Sequence, residues 1–470
     1  MANTQIVMVP SPGIGHLIPF VELAKRLVSH HSLVITFLIP TMPSVPVEAQ
    51  KSLFQTLPPS ISYVFLPPAD MDGISLQTVM IETLIVQAIQ RSLHSMREEL
   101  RLREASGCKF AAIVADFFAV DCFEVAKEFG AAPYLFFTSG AITLATLLYL
   151  PKLDEMFDCD VKELDHLVQI PGCKPIPGEE LMDPIQNRKK DGYQSMLHLS
   201  KLYSLANGIM VNTFLGLENG PIRAMQDPES GYPPVYAVGP LIRMDSMVHR
   251  NESECLEWLN HQPESSVLFV SFGSAGTLTH EQTTEVAMGL EMSEQRFLWV
   301  AKTPNESRAH SAYFKSNNET EPFYFLPDGF LHRTKGRALI VDSWAPQTKI
   351  LGHRATGGFL THCGWNSTLE GVVSGVPFIG WPLFAEQKMN AFHLSQDVGV
   401  AFRLGRCSET GLIRREEISN VVRSLMASDA GGIVRKRMSL IKNAAGEALA
   451  EGGSSDRSLA EVVVCWAGRR

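Results

Sequence analysis

Residues Trp344 to Gln387 read WAPQTKILGHRATGGFLTHCGWNSTLEGVVSGVPFIGWPLFAEQ. Within this stretch the apolar run 358–361 predicts a buried strand, and a helix and a second apolar strand follow it. A turn of small and polar residues, 362–367, joins the first strand to the helix. Because the first N–H groups of a helix have no internal partner and the helix dipole is positive there, this turn predicts a phosphate site.

The same turn has a second interpretation that needs no ligand. The run STLE at 367–370 fits a capping box, in which its serine and its glutamate bond to backbone N–H groups of the helix. The rest of the stretch favours a ligand, since Trp344 offers a flat face for a base and Glu386 with Gln387 offers two side chains that bind hydroxyl groups. A base, a phosphate and a polyol together indicate a nucleotide sugar.

Over its whole length, and without gaps, the stretch resembles the signature box of the plant UDP-dependent glycosyltransferases that modify small molecules. By this resemblance Trp344 stacks on uracil, Glu370 binds the ribose hydroxyls, and the turn holds the diphosphate. The residues that would bind UDP are Ser274, Trp344, Ala345, Gln347, His362, Gly364, Asn366, Ser367 and Glu370. Those that would contact the sugar are Thr138, Trp365, Glu386 and Gln387. In the family, Gln at the last position is associated with glucose, which implies UDP-glucose as the donor.

Composition narrows the function further. The formal charge of −9 and the pI near 5.9, without a basic stripe, argue against nucleic acid or an anionic membrane as a partner. The eight cysteines form no C-x-x-C, so neither a zinc site nor a disulfide framework is indicated. The N-terminus leads directly into a predicted strand without a signal-peptide pattern, and no apolar run is long enough to span a bilayer. We therefore expect a soluble cytoplasmic protein, and a monomer.

Short β-branched or aromatic runs alternate with helical patterns along both halves of the chain. In the first half the predicted strands are 6–9, 33–39, 63–66, 110–115, 134–137 and 208–211, and the alternation restarts at Val267. This pattern predicts an α/β fold with two tandem Rossmann-like, doubly wound domains. The resemblance implies that the two domains face a central cleft, as in the GT-B architecture.

The predicted boundaries follow from this alternation. They are 1–240 for an N-terminal acceptor-binding domain, 241–254 for a linker, 255–450 for a C-terminal UDP-sugar-binding domain and 451–470 for a C-terminal helix. The resemblance implies that this last helix packs back on the first domain. The polar segment 302–321 predicts a surface loop beside the cleft, and the final helical pattern covers about 431–466.

His16 and Asp116 follow two predicted strands at their carboxyl ends, where ligands of open parallel sheets bind. A helix is predicted to start at His16 or Leu17, and its dipole favours the neutral imidazole that a general base requires. On local grounds His16 also fits a capping or surface histidine, and Asp116 fits the N-cap of the next helix. The resemblance assigns His16 as the base that deprotonates the acceptor hydroxyl, and Asp116 as the residue that orients the imidazole.

Two other patterns argue against further cofactors. Gly13-x-Gly15 begins a dinucleotide fingerprint, but Ile18 stands in the third glycine position and no acidic residue closes the second strand, so NAD is not expected. The D-x-D runs 70–72 and 158–160 match a motif of metal-dependent glycosyltransferases, yet both lie in loop-like segments away from the nucleotide turn. The resemblance implies a metal-independent enzyme with UDP-glucose as its co-substrate.

The segments PSPGIGHLIPFVELAKRL, LPKLDE and GLEMSEQRFLWV resemble the branch of the family that glucosylates hydroquinone and related phenols. A phenolic hydroxyl is more acidic than an alcohol, so it needs less help from a base. Phe117, Phe118 and Glu82 are candidate acceptor neighbours, but the two aromatic residues also fit ordinary core positions and Glu82 fits an exposed helix position.

The combined prediction is an inverting O-glucosyltransferase that acts on a small phenol and gives a β-glucoside. Transfer to nitrogen or sulfur stays open, and so does a nucleotide-sugar-binding protein without turnover. A serine hydrolase is disfavoured because the sequence contains no G-x-S-x-G.

Overall fold

The computed structural model describes residues 5–43, 45, 47–55, 57–74, 79–243, 252–305, 323–342, 344–407 and 410–467. The chain forms two compact units, one made of Met1–Ile242 with Glu447–Arg470 and the other of Arg243–Gly446. Most of the predicted linker and of the predicted polar loop, at 244–251 and 306–322, lies outside the described residues.

The first unit is built on a parallel sheet that contains every strand predicted for this half of the chain. In chain order the strands are β1 (Gln5–Val9), β2 (Val34–Ile39), β3 (Ile61–Phe65), β4 (Phe110–Asp116), β5 (Ala132–Phe137), β6 (Gly208–Val211) and β7 (Val235–Ala237). The helices between them are α1 (Ile14–His31), α2 (Glu48–Lys51), α3 (Ile81–Ala105), α4 (Phe123–Glu128), α5 (Ala141–Met156), α6 (Asp191–Tyr203) and α7 (Leu215–Gln226). The sequence pattern does not predict β7, because three residues are too few to show a period.

The strand order of this sheet is β3-β2-β1-β4-β5-β6-β7. The direction of winding therefore reverses between β1 and β4. These two strands pair in parallel, with Val9 opposite Ala115, so the loops that follow them start side by side. In doubly wound sheets such a switch point opens a crevice at the carboxyl ends of the strands, and ligands bind there.

The second unit contains a six-stranded parallel sheet of the same design. Its strands are β8 (Val267–Ser271), β9 (Arg296–Ala301), β10 (Ala338–Asp342), β11 (Thr356–Thr361), β12 (Phe378–Gly380) and β13 (Ala401–Arg403). Its helices are α8 (Glu252–Asn260), α9 (His280–Ser293), α10 (Phe330–Arg333), α11 (Gln347–Leu351), α12 (Trp365–Ser374), α13 (Gln387–Phe392) and α14 (Arg415–Ala427). The order is β10-β9-β8-β11-β12-β13, so the switch point lies between β8 and β11. Two doubly wound α/β sheets confirm the predicted fold class.

Hydrophobic burial explains why both sheets form where the sequence pattern places them. Strands β1, β5, β8 and β11 are almost fully buried along their length, as continuous apolar runs in a sheet covered on both faces require. The carboxyl ends of these strands are therefore the places where polar side chains meet.

The final helical pattern forms two helices, α15 (Asp429–Leu449) and α16 (Ser454–Ala467). The break falls at Gly452, whose φ of 69° is left-handed and ends a helix at little cost. Helix α16 belongs to the first unit. Its Trp466 is fully buried and packs edge-on against Tyr134 with ring centroids 5.5 Å apart.

Candidate active site

In the first unit, His16 and Asp116 meet at the switch point between β1 and β4. The Nδ1 atom of His16 lies 3.1 Å from Oδ2 of Asp116. Helix α1 begins at Ile14, two residues earlier than the first of the predicted starts, so His16 lies in its first turn. Gly13 precedes the helix with a φ of 121°, a conformation that glycine adopts without strain. The glycine-containing loop thus delivers the imidazole to the carboxylate.

Asp116 is fully buried, and both of its oxygens are hydrogen-bonded. Oδ1 accepts from the hydroxyl of Ser11 and from the backbone N–H of Phe118, which lies 3.2 Å away. Oδ2 accepts from the hydroxyl of Thr138 at 3.1 Å, in addition to its contact with His16. A carboxylate that is held on every side cannot rotate, so it fixes the imidazole in one orientation.

Sequence reasoning missed Ser11. Ser11 is the second residue after β1 and lies at the same end of the sheet as Asp116. Its position after a switch-point strand could have indicated that it belongs to the site. Thr138 was predicted as a sugar contact, and in the structure its hydroxyl lies 3.1 Å from Asp116 and 3.3 Å from Nδ1 of His16.

An aromatic wall encloses the imidazole. The ring centroids of Phe117 and Phe118 lie 5.3 Å and 5.6 Å from that of His16. The hydroxyl of buried Tyr203 donates to the carbonyl of Phe117 at 3.1 Å. Burial raises the pKa of Tyr203 well above its ordinary value, and the charge of Asp116 acts in the same direction. Tyr203 is therefore a neutral hydrogen-bond donor, and its bond to the carbonyl of Phe117 stabilises the position of that residue.

Glu82, the third candidate acceptor neighbour, lies in the first turn of α3 and is 7 % exposed. The alternative that placed Glu82 at an exposed helix position is therefore wrong.

In the second unit, residues 362–364 join β11 to α12, so the predicted phosphate turn 362–367 is too long by three residues, which form the start of the helix. Cys363 has a φ of 62°, and Gly364 is the N-cap of α12, which begins at Trp365. The cap makes no side-chain hydrogen bond, and Ser367 lies inside the first turn and not at the cap. The capping-box alternative is therefore wrong, and the first N–H groups of α12 have no serine cap.

The ring of His362 is held between two glycines of this unit. A Cβ atom on Gly364 would lie 2.4 Å from its Nε2, and one on Gly273 would lie 2.5 Å from the same atom. Only glycine at both positions leaves room for the imidazole. Burial lowers the pKa of His362 to about 3, and the positive charge of Lys302 adds to this effect. The imidazole is neutral, and its buried Nδ1 has no hydrogen-bond partner within the part of the chain that the structure describes.

Gln347 joins the helix α12 to the start of α11. Its amide nitrogen donates to Oγ of Ser367 at 2.8 Å and to Oε2 of Glu370 at 2.6 Å. Burial raises the pKa of Glu370 to about 7, although the bond from Gln347 acts in the opposite direction. The structure thus brings three predicted donor-binding side chains into one connected group.

The other predicted donor residues differ in exposure. Trp344 is 44 % exposed, so its indole is accessible as a stacking face, whereas Ala345 is buried. Trp365, predicted to face the sugar, is only 3 % exposed.

Of four more predicted donor residues, three are at least partly exposed and one is buried. Ser274 is exposed in the turn after β8, and Asn366 and Glu386 are partly exposed. Gln387 is buried, and its Oε1 accepts from the N–H groups of Leu383 and Phe384 at 2.9 Å and 3.1 Å. It therefore anchors the loop that ends the stretch.

The D-x-D runs are engaged locally. Oδ1 of Asp70 accepts from the backbone N–H of Asp72 at 2.9 Å, and Oδ1 of Asp160 accepts from that of Arg188 at 2.9 Å. Among the described residues, no group of three or more His, Cys, Asp or Glu side chains is arranged to hold a metal ion. In the same residues, no helix combines the length and the apolar character that crossing a membrane requires.

Two doubly wound units, one with a His–Asp pair and one with a glycine-lined helix N-terminus, define an enzyme of the nucleotide-dependent transferase class. Residues 246–426 match the family described as "UDP-glucoronosyl and UDP-glucosyl transferase". The chain is 51 % identical to the hydroquinone glucosyltransferase of Rauvolfia serpentina over 98 % of this chain and 97 % of that protein. It is 49 % identical to UDP-glycosyltransferase 72B1 of Arabidopsis thaliana, over 98 % and 96 %.

Solved structures give the same result. The Phytolacca americana UGT2 complex with UDP-2fluoro-glucose and pterostilbene superposes with a TM-score of 0.90 at 45 % identity, covering 99 % of this chain and 100 % of that one. The UDP-glucosyltransferase of Polygonum tinctorium that glucosylates indoxyl gives 0.91 at 46 % identity, with 99 % of each chain covered. The chain belongs to the UDP-glycosyltransferase family, and it is a glycosyltransferase of the GT-B fold.

Proposed function

We propose that this enzyme transfers glucose from UDP-glucose to the phenolic hydroxyl of a small molecule, with inversion, to give a β-glucoside and UDP. The observation that carries the proposal is the contact between Nδ1 of His16 and the fully buried carboxylate of Asp116. A carboxylate on Nδ1 fixes the tautomer in which Nε2 accepts a proton, and it stabilises the imidazolium that results.

The reaction is a single displacement. His16 takes the proton of the acceptor hydroxyl while the acceptor oxygen forms a bond to the anomeric carbon of glucose. The bond from that carbon to the diphosphate oxygen breaks, and its electron pair leaves with UDP. Because attack and departure occur on opposite faces, an α-linked donor gives a β-linked product. The N-terminus of α12, His362 and Ser274 would stabilise the charge on the departing UDP.

Donor selection is assigned to the rest of the second unit. Exposed Trp344 would stack on uracil. Glu370, with Gln347 bonded to it, would bind the ribose hydroxyls. The Oε1 atom of Gln387 already accepts two backbone N–H groups, so its amide nitrogen would be the atom that contacts a glucose hydroxyl, next to Glu386.

A phenol suits the acceptor side for two reasons. Its hydroxyl is acidic enough to need only a weak base, and the aromatic wall of Phe117 and Phe118 offers faces on which an aromatic ring can pack. The relatives support this class, since one is a hydroquinone glucosyltransferase and a structural neighbour is bound to pterostilbene. Another neighbour is complexed with 3,4-dichloroaniline, which makes aromatic amines the second acceptor class to test.

The test is an assay of the purified protein with UDP-glucose, EDTA and matched panels of phenols, anilines and thiols, in which the product anomer is assigned by NMR. We expect β-glucosides of phenols without added metal. We also propose a cytoplasmic monomer, and a sizing column coupled to light scattering tests the oligomeric state. Binding of UDP without product from any acceptor would leave only a nucleotide-sugar-binding protein.

One substitution tests the proposed base. His16→Ala should lower kcat/KM by about 10²- to 10⁴-fold, because general-base catalysis typically contributes that much. The affinity for UDP should stay unchanged, since the donor residues belong to the other unit. His30→Ala is the matched control, because it removes an exposed histidine from the same helix. Near-normal turnover of the His16 variant would refute the assignment.

A further inference from the structure

Lys302 is the first residue after β9, and its ammonium group reaches the turn that follows β8. In the parallel pairing of these strands Val270 lies opposite Trp299, which carries Lys302 to the level of Gly273. Its Nζ donates to the carbonyl of Gly273 and, at 2.6 Å, to that of Ser274. Gly273 is one of the two glycines that enclose the ring of His362. Lys302 therefore belongs to the predicted phosphate site, although sequence reasoning did not include it.

Among the described residues, no carboxylate balances the charge of Lys302. Burial lowers its pKa to about 8, and no carboxylate among the described residues contributes to the shift or forms an ion pair with it. The two bonded carbonyls are dipoles and carry no net charge. A partly buried cation without a paired anion is unfavourable, so this position is explained if an anion binds to the same turn when the enzyme is at work.

The two hydrogen bonds from Lys302 to carbonyl oxygens also fix the orientation of the peptide groups in this turn. A peptide unit is planar, and its C=O and N–H groups point in opposite directions. When Lys302 holds the carbonyls of Gly273 and Ser274, the N–H groups of Ser274 and Ala275 point away from the ammonium. Successive N–H groups aimed the same way form a concave site that attracts anions. The position of the ammonium thus determines how this turn presents its donors.

The buried Nδ1 of His362, which has no hydrogen-bond partner among the described residues, is a further polar atom beside this turn, since a Cβ on Gly273 would lie 3.1 Å from it. A neutral imidazole can donate a hydrogen bond to a phosphate oxygen without carrying a charge itself. His362 is neutral, so Lys302 supplies the positive charge next to the turn 273–275.

We propose that Lys302 is a positioning residue of the donor site: it holds the turn 273–275 and provides the charge that balances the diphosphate of UDP. The inference rests on the proposed function, because UDP is the ligand. On this proposal, Lys302 contributes to the affinity for the diphosphate part of UDP and not to the affinity for its nucleoside part.

The experiment compares the binding of UDP with that of uridine, which lacks the diphosphate, by calorimetry and by ligand-induced thermal shift. The variants are Lys302→Met, Lys302→Arg and the matched control Lys335→Met, which removes an exposed lysine of the same unit. Lys302→Met should bind UDP about 10- to 100-fold more weakly, because it removes one positive charge near the diphosphate and releases the turn that presents the N–H groups. Its affinity for uridine should equal that of the wild type, and Lys302→Arg should recover part of the affinity for UDP.

The outcomes separate the two proposals. If the wild type bound no UDP, the proposed function itself would fail. If the wild type bound UDP and Lys302→Met bound it equally well, only the role of Lys302 would be overturned. Equal weakening of UDP and uridine would also overturn it, because a general loss of structure in the unit affects both ligands. Measured uridine binding shows that the variant is folded.

Discussion

Glu370 is a carboxyl group whose ionisation the fold opposes. Burial raises its pKa from the ordinary 4.5 to about 7, against the effect of the amide of Gln347, which donates to Oε2 at 2.6 Å. One pKa unit corresponds to about 1.4 kcal/mol, so the ionised form costs at most about 3 kcal/mol in the folded protein. Glu370→Gln keeps the shape and an oxygen that accepts from Gln347, and it removes the ionisation. The nucleotide-free variant should therefore be more stable than the wild type above about pH 7.

The sign of the pH dependence follows from the direction of the shift. A raised pKa means that the folded state holds the proton more tightly than the unfolded chain does. The contribution of Glu370 to stability is fully present below pH 4.5 and is lost as the pH rises through about 7. The difference in stability between Glu370→Gln and the wild type should therefore grow across this window and stay constant above it.

The measurement is the unfolding temperature of both proteins without nucleotide, at one scan rate, between about pH 5 and about pH 8.5. A stability change of about 3 kcal/mol shifts the midpoint of a domain of this size by about 6–12 °C. Glu416→Gln removes an exposed carboxylate of the same unit and is the control. A difference between Glu370→Gln and the wild type that does not change with pH would refute the reasoning, because it would show that Glu370 ionises in the folded protein as in the unfolded chain.

Three more substitutions test other parts of the two units. Asp116→Asn should lower kcat by about 10²- to 10⁴-fold while calorimetry shows unchanged UDP binding, because an amide no longer fixes the imidazole tautomer; unchanged kcat would contradict this. Gly364→Ala should weaken UDP binding about tenfold and destabilise the protein by about 1–3 kcal/mol, since its Cβ would lie 2.4 Å from Nε2 of His362; wild-type affinity would show that the ring is not held by this glycine. Arg415→Met should destabilise by about 2 kcal/mol in denaturant titrations, because buried Glu285 loses the guanidinium that lowers its pKa. That effect is expected above pH 4.5 and should shrink as the pH falls below it; an effect independent of pH would be evidence against the ion pair.

The fold was largely predictable because its signal is local. Continuous apolar runs such as Val267–Ser271 and Ala132–Phe137 need burial on both faces, and helical patterns between them leave few alternatives to a parallel sheet. The edge strands β7 and β13, each of three residues, escaped prediction. The separate C-terminal helix was predicted from 451, and in the structure it begins at Ser454.

The site was predictable only where chain order and sheet position coincide. His16 and Asp116 could be paired because each follows a strand and adjacent strands bring their carboxyl ends together. The contact between His362 and Gly273 joins residues far apart in sequence, and nothing local indicates it. A lysine directly after a strand, as at position 302, is normally a solvated residue. The environment of this lysine depends on the turn that follows the neighbouring strand β8. The sequence alone does not show that the two are neighbours.

The two histidines show how one sheet design yields two chemistries. Both lie at the carboxyl end of a switch-point strand, His16 after β1 and His362 after β11. His16 has the carboxylate of Asp116 at 3.1 Å, which would stabilise a positive imidazolium in the proposed reaction. His362 has the cation Lys302 nearby, and burial with that charge lowers its pKa to about 3, so it stays neutral throughout. Burial first, and the sign of the nearest charge second, therefore distinguish the two imidazoles, although both follow switch-point strands of the same sheet design.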